Sequence, residues 1–483
     1  MQITSLYYAL LSIMAVVFYY IIKPRYRILF LTLISCGFIA TYNPYLLVHI
    51  IAFSIINYYT AIIIEGTRFK KTFFRIGIFF NLAQLIGLRY SSFAIDPILQ
   101  LFNSTISVSK YSEILVPVGI SYFTLQGIGY LINIKMGWEK SEKRFINLLL
   151  YLTFYPKFLS GPIERSNHFL PQLDINTSFD ANRISEGLRI ALFGFFKKIA
   201  IANQLAPFIT RTYADIGSAS EFSLCLTILI QPLYLYFDFS GYTDIAIGFA
   251  KAFGLDLLPN FNRPFFSENM TTFWKRFHIS LSSWFNDYVF RQTSFKLRKW
   301  GIFATISALL ITWTLFGIWH GAGWNFMMLG LIQALAIIYE FFTKRWRLKS
   351  FSYMPIYLRI WLGRIVTYLF YGGSLVFFFS HDIKAGFLFY KGLFENNVQI
   401  KSVHDLLHNI HKEISVSAAI FVIACLLVEF FRNDFRDTYN KMETLWLGNS
   451  IISRLFRWVI YYLTLFITYA LGKEVGDFIY FQF

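Results

Sequence analysis

The stretch Ile302–Phe342, IFATISALLITWTLFGIWHGAGWNFMMLGLIQALAIIYEFF, decides the fold class of this chain. Apart from its centre it is apolar, and it is long enough for two membrane helices, because one transmembrane helix needs roughly 20 apolar residues. At the centre, Phe316–Phe326 places His320 between two tryptophans and among three glycines. The stretch therefore predicts two membrane helices with a histidine held near the turn between them.

The composition extends this prediction to the whole chain. Of the 483 residues, 56% are hydrophobic, 20% are aromatic and only 15% are charged. Soluble domains carry about a quarter charged residues. We therefore predict an all-α, polytopic integral membrane protein that forms one membrane domain over residues 1–483, with roughly 11–13 transmembrane or re-entrant helices. The candidate spans are 5–22, 28–45, 46–64, 73–92, 114–134, 146–160, 186–209, 221–237, 242–254, 302–319, 324–342, 360–380, 415–431 and 453–472.

The net charge of +17 is explained by short basic loops between the apolar runs. Lys23–Arg27, Thr67–Arg75 and Lys135–Arg144 are basic, whereas the loops that alternate with them carry almost no Lys or Arg. Basic loops stay in the cytoplasm, so we expect the N-terminus on the extracytoplasmic side. The chain has no basic tail and no long basic helix, so we expect no nucleic-acid partner.

We expect no metal site. Cys36, Cys225 and Cys425 each lie in an apolar run and have no metal-ligand spacing. His404, His408 and His411 recur at helical spacing, but the leucines and isoleucine between them are typical of a plain amphipathic helix. No dinucleotide-binding or phosphate-binding loop occurs in a suitable context either.

His320 is a candidate for proton transfer. A charged imidazole is costly in a membrane, so burial should keep the ring neutral and able to accept a proton from a hydroxyl group. The glycines around it would let a substrate approach, but they would equally let another helix backbone pack closely. From the residues alone, a base and a purely packing histidine both stay open.

A second polar region precedes this histidine in the chain. Tyr234–Gly248 carries Asp238, Ser240 and Asp244 at or near the end of an apolar run, where capping or ion pairing is the favoured role. Phe273–Phe290 is predicted as an amphipathic helix with His278 at the side of its apolar stripe. A solvated and a functional role are equally open for His278.

Seven stretches in order resemble the membrane-bound O-acyltransferase family, in its alginate O-acetyltransferase branch and in similar proteins that act on peptidoglycan or lipoteichoic acid. The stretches are LVPVGISYFTLQGIGYLINI (Leu115–Ile134), GPIER (Gly161–Arg165), LFGFFKKIAIANQLA (Leu192–Ala206), YFDFSGYTDIAIGFAKAFGLDLLPNFNRPF (Tyr236–Phe265), FWKRFHISLSSWFNDYVF (Phe273–Phe290), GIWHGAGWNF (Gly317–Phe326) and FIYFQF (Phe478–Phe483). Asn133 departs from the aspartate expected in the alginate branch, which leaves the branch open.

The resemblance implies helices around a central tunnel, with a core at 115–342 that carries the motifs and peripheral helices at 1–114 and 343–483. His320 matches the family's invariant histidine, and His278 matches its second polar position. These two are the expected catalytic residues. The expected tunnel residues are Trp319, Trp324, Trp274, Asp238, Ser240 and Asn286.

The expected activity is that of an acyltransferase, which passes an acetyl group across the membrane for O-acetylation of an extracytoplasmic glycan such as peptidoglycan or alginate. The resemblance implies acetyl-CoA as the donor, no cofactor, a bacterial inner-membrane location in the lipid bilayer, and an extracytoplasmic transferase of the SGNH type as partner. Two other classes stay open. A secondary transporter of a small acid or sugar would also use broken helices, and a non-catalytic scaffold would recruit the partner enzyme.

Overall fold

The computed structural model describes residues 3–96, 99, 119–159, 161–174, 178–395, 415–448 and 450–472. Over these residues the chain is helical, and the one strand-like pairing is an isolated antiparallel bridge between Phe261 and Phe277. The predicted all-α membrane class is confirmed. The histidine series at 404–411, the start of the motif at 115–118 and the closing motif at 478–483 lie outside the described residues.

The contacts divide the chain into two compact units. The first comprises Met1–Ala191, Tyr242–Pro259 and Trp284–Tyr288, and the second comprises Leu192–Gly241, Asn260–Ser283 and Val289–Phe483. Every residue of the site described below belongs to the second unit. The expectation of a single membrane domain stays a prediction.

Helices α1 to α6 and most of α7 build the first unit. Their bounds are Leu6–Ile21, Pro24–Tyr42, Pro44–Gly66, Lys70–Arg89, Ile120–Met136, Phe145–Thr153 and Ala181–Phe196. Side chains set some of the boundaries: Ser5 accepts a hydrogen bond from the Tyr8 amide at the start of α1, and Asn43 accepts one from the Tyr45 amide next to Pro44. Both satisfy amides that a helix start leaves unpaired.

The segment after α6 is the interrupted apolar sequence that contains Gly161 and Pro162. Several of its polar groups form hydrogen bonds inside the first unit, as irregular backbone at membrane depth requires. Lys157 is 1% exposed, and its Nζ donates to Gln126 Oε1 and to the carbonyl oxygen of Tyr151, each at 2.6 Å. The Tyr151 hydroxyl donates to the carbonyl oxygen of Glu164 at 2.8 Å. These bonds fold the segment back on itself.

Helices α8 to α17 follow in the chain. Their bounds are Asn203–Ala214, Glu221–Ala252, Ile279–Phe285, Ile302–His320, Trp324–Ser350, Ile356–Ser374, Ile383–Glu395, Val416–Asp434, Arg436–Leu447 and Ile451–Leu471. In the described part of the chain, seven helices are long and apolar enough to cross a membrane: Pro44–Gly66, Glu221–Ala252, Ile302–His320, Trp324–Ser350, Ile356–Phe379, Val416–Asp434 and Ile451–Leu471. The protein is thus a multi-pass membrane protein, and the larger count of helices, which includes short and re-entrant ones, stays a prediction.

Helix α9 corrects one predicted boundary. The sequence suggested two spans, 221–237 and 242–254, whereas the structure has one helix of 32 residues, Glu221–Ala252. The polar residue that suggested the break, Asp238, is fully buried in an ion pair with Lys198. A Cβ added at Gly241 would lie 2.9 Å from the carbonyl oxygen of Gly194, so this glycine serves close packing inside a continuous helix.

The predicted amphipathic helix Phe273–Phe290 forms only from Ile279 onward, and its first part is wrong. A short helix ends at Phe273, and α10 begins at Ile279. From Trp274 to Arg276 the chain forms a turn, and it then pairs with an earlier segment: the Asn262 amide donates to the carbonyl oxygen of Arg276, and the Ile279 amide donates to that of Asn260, each at 2.9 Å. This pairing interrupts the helix at Phe277 and His278.

Candidate active site

Helices α11 (Ile302–His320) and α12 (Trp324–Ser350) form a closely packed pair. A Cβ added at Gly317 would lie 2.2 Å from the carbonyl oxygen of Phe326, and one at Gly330 would lie 2.2 Å from that of Trp313. A Cβ at Gly321 would lie 2.2 Å from the Phe326 ring. The glycines around His320 therefore serve close packing between the two helices, which was one of the two roles left open by the sequence.

His320 is the last residue of α11, and its side chain lies in an aromatic surrounding. The residue is 5% exposed. Its ring centroid lies 4.9 Å from that of Trp319, 5.2 Å from that of Phe316 and 5.5 Å from that of Phe378. These rings surround the imidazole and restrict the orientation of its plane.

The turn after His320 fixes one of these aromatic walls. Asn325 Nδ2 donates to the carbonyl oxygen of Phe377 at 3.1 Å and to that of Ser380 at 2.8 Å. Both carbonyls lie at the end of the short helix Val376–Phe379. The amide of Asn325 thereby holds Phe378 against His320.

His278 has a strained backbone and an unsatisfied side chain. Its φ is 47°, and it and Arg263 are the two non-glycine residues with positive φ in the described ranges. The residue is 1% exposed, and neither ring nitrogen has a hydrogen-bond partner in the part of the chain that the structure describes. Strain and buried unsatisfied polar atoms are costly and concentrate at functional sites.

The two imidazoles meet at one small cavity. The residues that line it are Leu235, Trp274, Phe277, His278, Phe316, His320, Leu329, Tyr371, Leu375 and Phe378. The volume open to the centre of a water molecule is about 20 Å³. This is enough space for roughly one water molecule. The two histidines are therefore presented to a very small, mainly apolar space.

Trp274 forms a wall of the cavity and is held by a buried chain of hydrogen bonds. Its indole Nε1 donates to Gln333 Oε1 at 3.2 Å, and Gln333 Nε2 donates to Ser374 Oγ at 2.8 Å. Gln333 is fully buried and Ser374 is 3% exposed. Because each polar group in the chain is satisfied, the orientation of the indole is fixed.

The structure brings four of the expected site residues together. His320, His278 and Trp274 line the cavity. The Trp319 ring lies beside both imidazoles, with its centroid 5.8 Å from that of His278 and 4.9 Å from that of His320. Their assignment to catalysis and substrate binding stays a prediction, and the geometry agrees with it.

Four other expected tunnel residues lie elsewhere. Asp238 is paired with buried Lys198, and Ser240, although 1% exposed, does not line the cavity. Trp324 is 59% exposed, so it does not wall the cavity in the described structure. Asn286 belongs to the first unit, where its side chain donates to Asp287.

Several cavity residues were missed from the sequence. Tyr371, Leu375 and Phe378 line the cavity from the end of α13 and the short helix after it. They carry no local signal, because they are ordinary members of an apolar run. Gln333, which holds Trp274, could have been noticed as the one amide in the apolar run from Phe326 to Tyr339.

The arrangement suits proton transfer in an environment with little water. A neutral imidazole in such a space can accept a proton from a hydroxyl group. Charge that develops in such a space is weakly screened, and correctly placed groups act strongly on it. Among the described residues no group of three or more His, Cys, Asp or Glu could hold a metal ion.

Comparisons with known proteins agree with this geometry. The profile of the membrane-bound O-acyltransferase family matches residues 142–381, which include both histidines. A probable alginate O-acetylase of Azotobacter vinelandii is 31% identical over 317 residues, which are 65% of this chain and 63% of that protein. The chain thus aligns with slightly less than two thirds of this relative.

Two further relatives extend the comparison. A probable alginate O-acetylase of Pseudomonas putida is 30% identical over 327 residues, covering 67% of each chain. A peptidoglycan O-acetyltransferase of Helicobacter pylori is 28% identical over 401 residues, which are 77% of this chain and 74% of that protein. The family expected from the seven motifs is confirmed.

Proposed function

The chain belongs to the membrane-bound O-acyltransferase family, and from this premise we propose that it uses His320 to transfer an acetyl group from cytoplasmic acetyl-CoA to a hydroxyl group for O-acetylation of an extracytoplasmic glycan. Its family makes it an acyltransferase of the membrane. The observation that carries the proposal is the cavity into which His320 and the unpartnered, strained His278 both project.

In the proposed reaction, His320 takes the proton of the acceptor hydroxyl as its oxygen attacks the thioester carbonyl carbon. A C–O bond forms, the C–S bond breaks, and the proton passes from the imidazolium to the departing CoA thiolate. General-base catalysis of this kind contributes about 10²- to 10⁴-fold. Holding both reactants in one narrow space contributes further, because effective molarities of oriented groups reach about 10⁵ M or more.

His278 is proposed to stabilise the oxygen of the thioester carbonyl or to orient the acceptor. Both nitrogens of its ring lack a partner among the described residues, so an N–H is available for a substrate oxygen. A donor placed where negative charge develops is worth about 10²- to 10³-fold in rate. The strained backbone at this residue would be the cost of pointing the ring into the cavity.

The size of the cavity supports acetyl as the transferred group. The space beside the histidines is about 20 Å³ for the centre of a water-sized sphere, and Trp274 and Phe378 close it with rigid rings. A longer acyl chain would have to displace these side chains, and overpacking of this kind costs about 1–3 kcal/mol. An acetyl group would displace them less than any longer acyl group.

The acceptor and partner are proposed from the named relatives. Similar proteins are named for alginate and for peptidoglycan, and we propose peptidoglycan or another surface glycan as the final acceptor. An extracytoplasmic SGNH-type transferase would deliver the acetyl group from this chain to the polymer. The chain would lie in the bacterial inner membrane with its basic loops in the cytoplasm.

Thioester turnover by the purified chain tests the proposal. Protein reconstituted in liposomes and supplied with a soluble glycan as hydroxyl acceptor is expected to release free CoA thiol from acetyl-CoA, and the His320→Ala variant is expected to lose at least about 100-fold of that rate. Solute movement across the liposome without use of a donor would instead indicate a transporter. Complete absence of turnover together with retained binding of the partner transferase would indicate a scaffold.

A further inference from the structure

Three arginines of the second unit meet around the short turn Pro264–Phe266. Arg276 Nη1 donates to the carbonyl oxygen of Phe266 at 3.3 Å, and the Arg364 guanidinium carbon lies 5.4 Å from the centroid of the Phe266 ring. Arg263 immediately precedes the turn, and its carbonyl oxygen accepts from the Phe266 amide at 3.3 Å. Arg263, Arg276 and Arg364 are called the arginine cluster below.

Most of the donors in the arginine cluster face neutral oxygens. Arg263 donates to Asn262 Oδ1 at 3.1 and 3.0 Å and to the carbonyl oxygen of Arg432 at 2.8 Å. Within the described residues, neither Arg263 nor Arg276 lies within ion-pair distance of a carboxylate. Among the described residues, their guanidinium groups thus donate to carbonyl and amide oxygens and not to carboxylates.

Arg364 is the most buried residue of the arginine cluster, and one of its N–H donors has no partner among the described residues. Its Nη1 and Nη2 each lie 2.7 Å from a carboxylate oxygen of Asp434. Its side chain is 7% exposed, and its Nε has no hydrogen-bond partner in the described ranges. A buried guanidinium N–H without a partner points to an acceptor that binds from outside the chain.

The cluster has an excess of positive charge. Burial lowers the pKa of Arg276, and the charges of Arg263 and Arg364 lower it further, whereas Glu268 and Asp434 oppose this effect. These are the charged groups that act on Arg276 from every element packed against it. Three guanidinium groups therefore face two carboxylates, one of which is already engaged by Arg364.

The chain leads directly from the arginine cluster to the cavity. Arg276 precedes His278 by two residues, and Trp274 and Phe277 of the same segment line the cavity. On α13, Arg364 lies seven residues before Tyr371, another lining residue, which is about 10 Å along the axis of a helix. The cluster therefore lies near the cavity, displaced towards the start of α13.

Contacts with α12 give the same direction. The amides of Met270 and Thr271 donate to the Glu340 carboxylate, Trp274 bonds Gln333, and Leu329 lines the cavity. The segment Met270–His278 thus runs alongside α12 from Glu340 towards Leu329. These two residues are about 16 Å apart along the helix axis. The segment starts near the basic end of α12 and ends at the histidines.

The arginine cluster lies towards the basic ends of its helices. Lys344, Arg345, Arg347 and Lys349 end α12, and Arg432 and Arg436 flank the end of α15. Such basic ends stay in the cytoplasm. The cluster would accordingly face the compartment that holds acyl-CoA, and the cavity would lie deeper in the membrane.

We propose that the arginine cluster binds the phosphate groups of the CoA donor, while the pantetheine arm extends along the segment Trp274–His278 and brings the thioester to the cavity. The proposal rests on the proposed function, because it takes acetyl-CoA as the donor. Guanidinium groups bind phosphate oxygens through paired, charge-assisted hydrogen bonds. An unpartnered N–H at Arg364 and two arginines bonded only to neutral oxygens are the arrangement that such an anion needs.

Thioesters with and without phosphate separate this proposal from a general effect on folding. Wild-type protein in neutral-lipid nanodiscs is expected to show a KM for acetyl-CoA at least about tenfold below that for S-acetylpantetheine, because charge-assisted hydrogen bonds stabilise a complex by about 1.5–3 kcal/mol. Arg276→Gln and Arg263→Gln should each raise the KM for acetyl-CoA about tenfold, with kcat and the KM for S-acetylpantetheine unchanged. Lys296→Gln, which removes an exposed charge of the second unit outside both the arginine cluster and the segment Trp274–His278, is the control and should change neither.

Two outcomes would overturn the proposal. One is an unchanged KM for acetyl-CoA in both arginine variants, and the other is an equal rise for the thioester without phosphate, which would indicate a structural role. If the variants change only the response to added phosphatidylglycerol, the cluster binds lipid headgroups and the proposal is likewise wrong.

Calorimetric binding of free CoA keeps this inference separate from the proposed function. Wild-type protein should bind CoA, and Arg276→Gln should bind it about tenfold more weakly. Binding that follows this pattern without any thioester turnover would contradict the proposed function and leave the arginine cluster as a CoA site. Thioester turnover with equal KM values for acetyl-CoA and S-acetylpantetheine would support the proposed function and contradict the arginine cluster as a CoA site.

Discussion

At the scale of single residues, the two cavity histidines differ in how they are held. His320 is the last residue of the regular helix α11, and three aromatic rings surround its side chain. His278 is held in a left-handed conformation by the pairing of Asn260–Asn262 with Arg276–Ile279. The chain accepts backbone strain at His278 and none of this kind at His320, which indicates that the direction of the His278 ring matters.

The strain at His278 predicts an order of stability for two variants. His278→Gly and His278→Ala remove the same ring, but alanine at φ 47° keeps the strain that glycine relieves. The glycine variant should therefore be more stable by about 1 kcal/mol, seen as a higher melting temperature in detergent, while both lose thioester turnover to the same extent. An alanine variant as stable as the glycine variant would show that the backbone is not strained.

Residue identity was more predictable than residue placement. His320 stands out in the sequence because an imidazole is rare in an apolar run, and His278 was identified by its match to the second polar position of the family; both reach the cavity. Asp238 stood out for the same reason, but it pairs with Lys198, which is 40 residues away in the chain. A local pattern cannot show a partner at that distance, so the sequence could not separate a polar residue of the cavity from one that is satisfied elsewhere.

At the scale of helices, the α11–α12 pair carries His320. Gly317 and Gly330 allow the two backbones to approach until only a hydrogen atom fits between them. Membrane helices lack a hydrophobic driving force for association, and small residues compensate by close van der Waals packing. The position of His320 thus depends on Gly317, one turn earlier in α11, and on Gly330 in the neighbouring helix α12.

Gly330→Ala is predicted to destabilise this pair. Its Cβ would lie 2.2 Å from the carbonyl oxygen of Trp313, which is backbone and cannot rotate away. The expected cost is about 1–3 kcal/mol, measured as a lower melting temperature and reduced turnover. Gly37→Ala is the control, since its Cβ meets nothing within 4 Å, and it should stabilise α2 by about 0.5–1 kcal/mol. Equal stability of the two variants would contradict this account.

Helix existence was predictable and helix continuity was not. Apolar runs of membrane length placed α11, α12, α15 and α17 nearly correctly. The break inferred at Asp238 is absent, because Lys198 pairs with that side chain. The helix inferred over Phe273–Phe290 forms only from Ile279, because the pairing with Asn260–Asn262 interrupts its start. The periodicity of apolar residues depends only on residues close together in the sequence, so it cannot show partners that are distant in the chain.

At the scale of the whole molecule, the distribution of charge predicts an orientation in the membrane. The end of α12 is basic, whereas the turn after α13 carries His381 and Asp382. One membrane helix, Ile356–Phe379, separates the two ends. The positive-inside rule places the basic end in the cytoplasm.

Cysteine labelling tests this orientation. In a variant with Cys36, Cys225 and Cys425 replaced by alanine, Asp382→Cys should react with a membrane-impermeant maleimide in intact cells. Lys349→Cys should react only after the membrane is permeabilised. Both positions are exposed, so access to the reagent depends on the side of the membrane. Labelling of Lys349→Cys in intact cells would reverse the orientation and with it the side from which the donor enters.

Acetylation of the surface glycan in cells that produce His320→Ala tests the central claim most directly, with wild-type protein at the same membrane level as reference. We predict that the variant folds and inserts normally but that glycan acetylation falls at least about 100-fold, because the proton acceptor is lost. Acetylation at the wild-type level by correctly inserted His320→Ala would contradict the account.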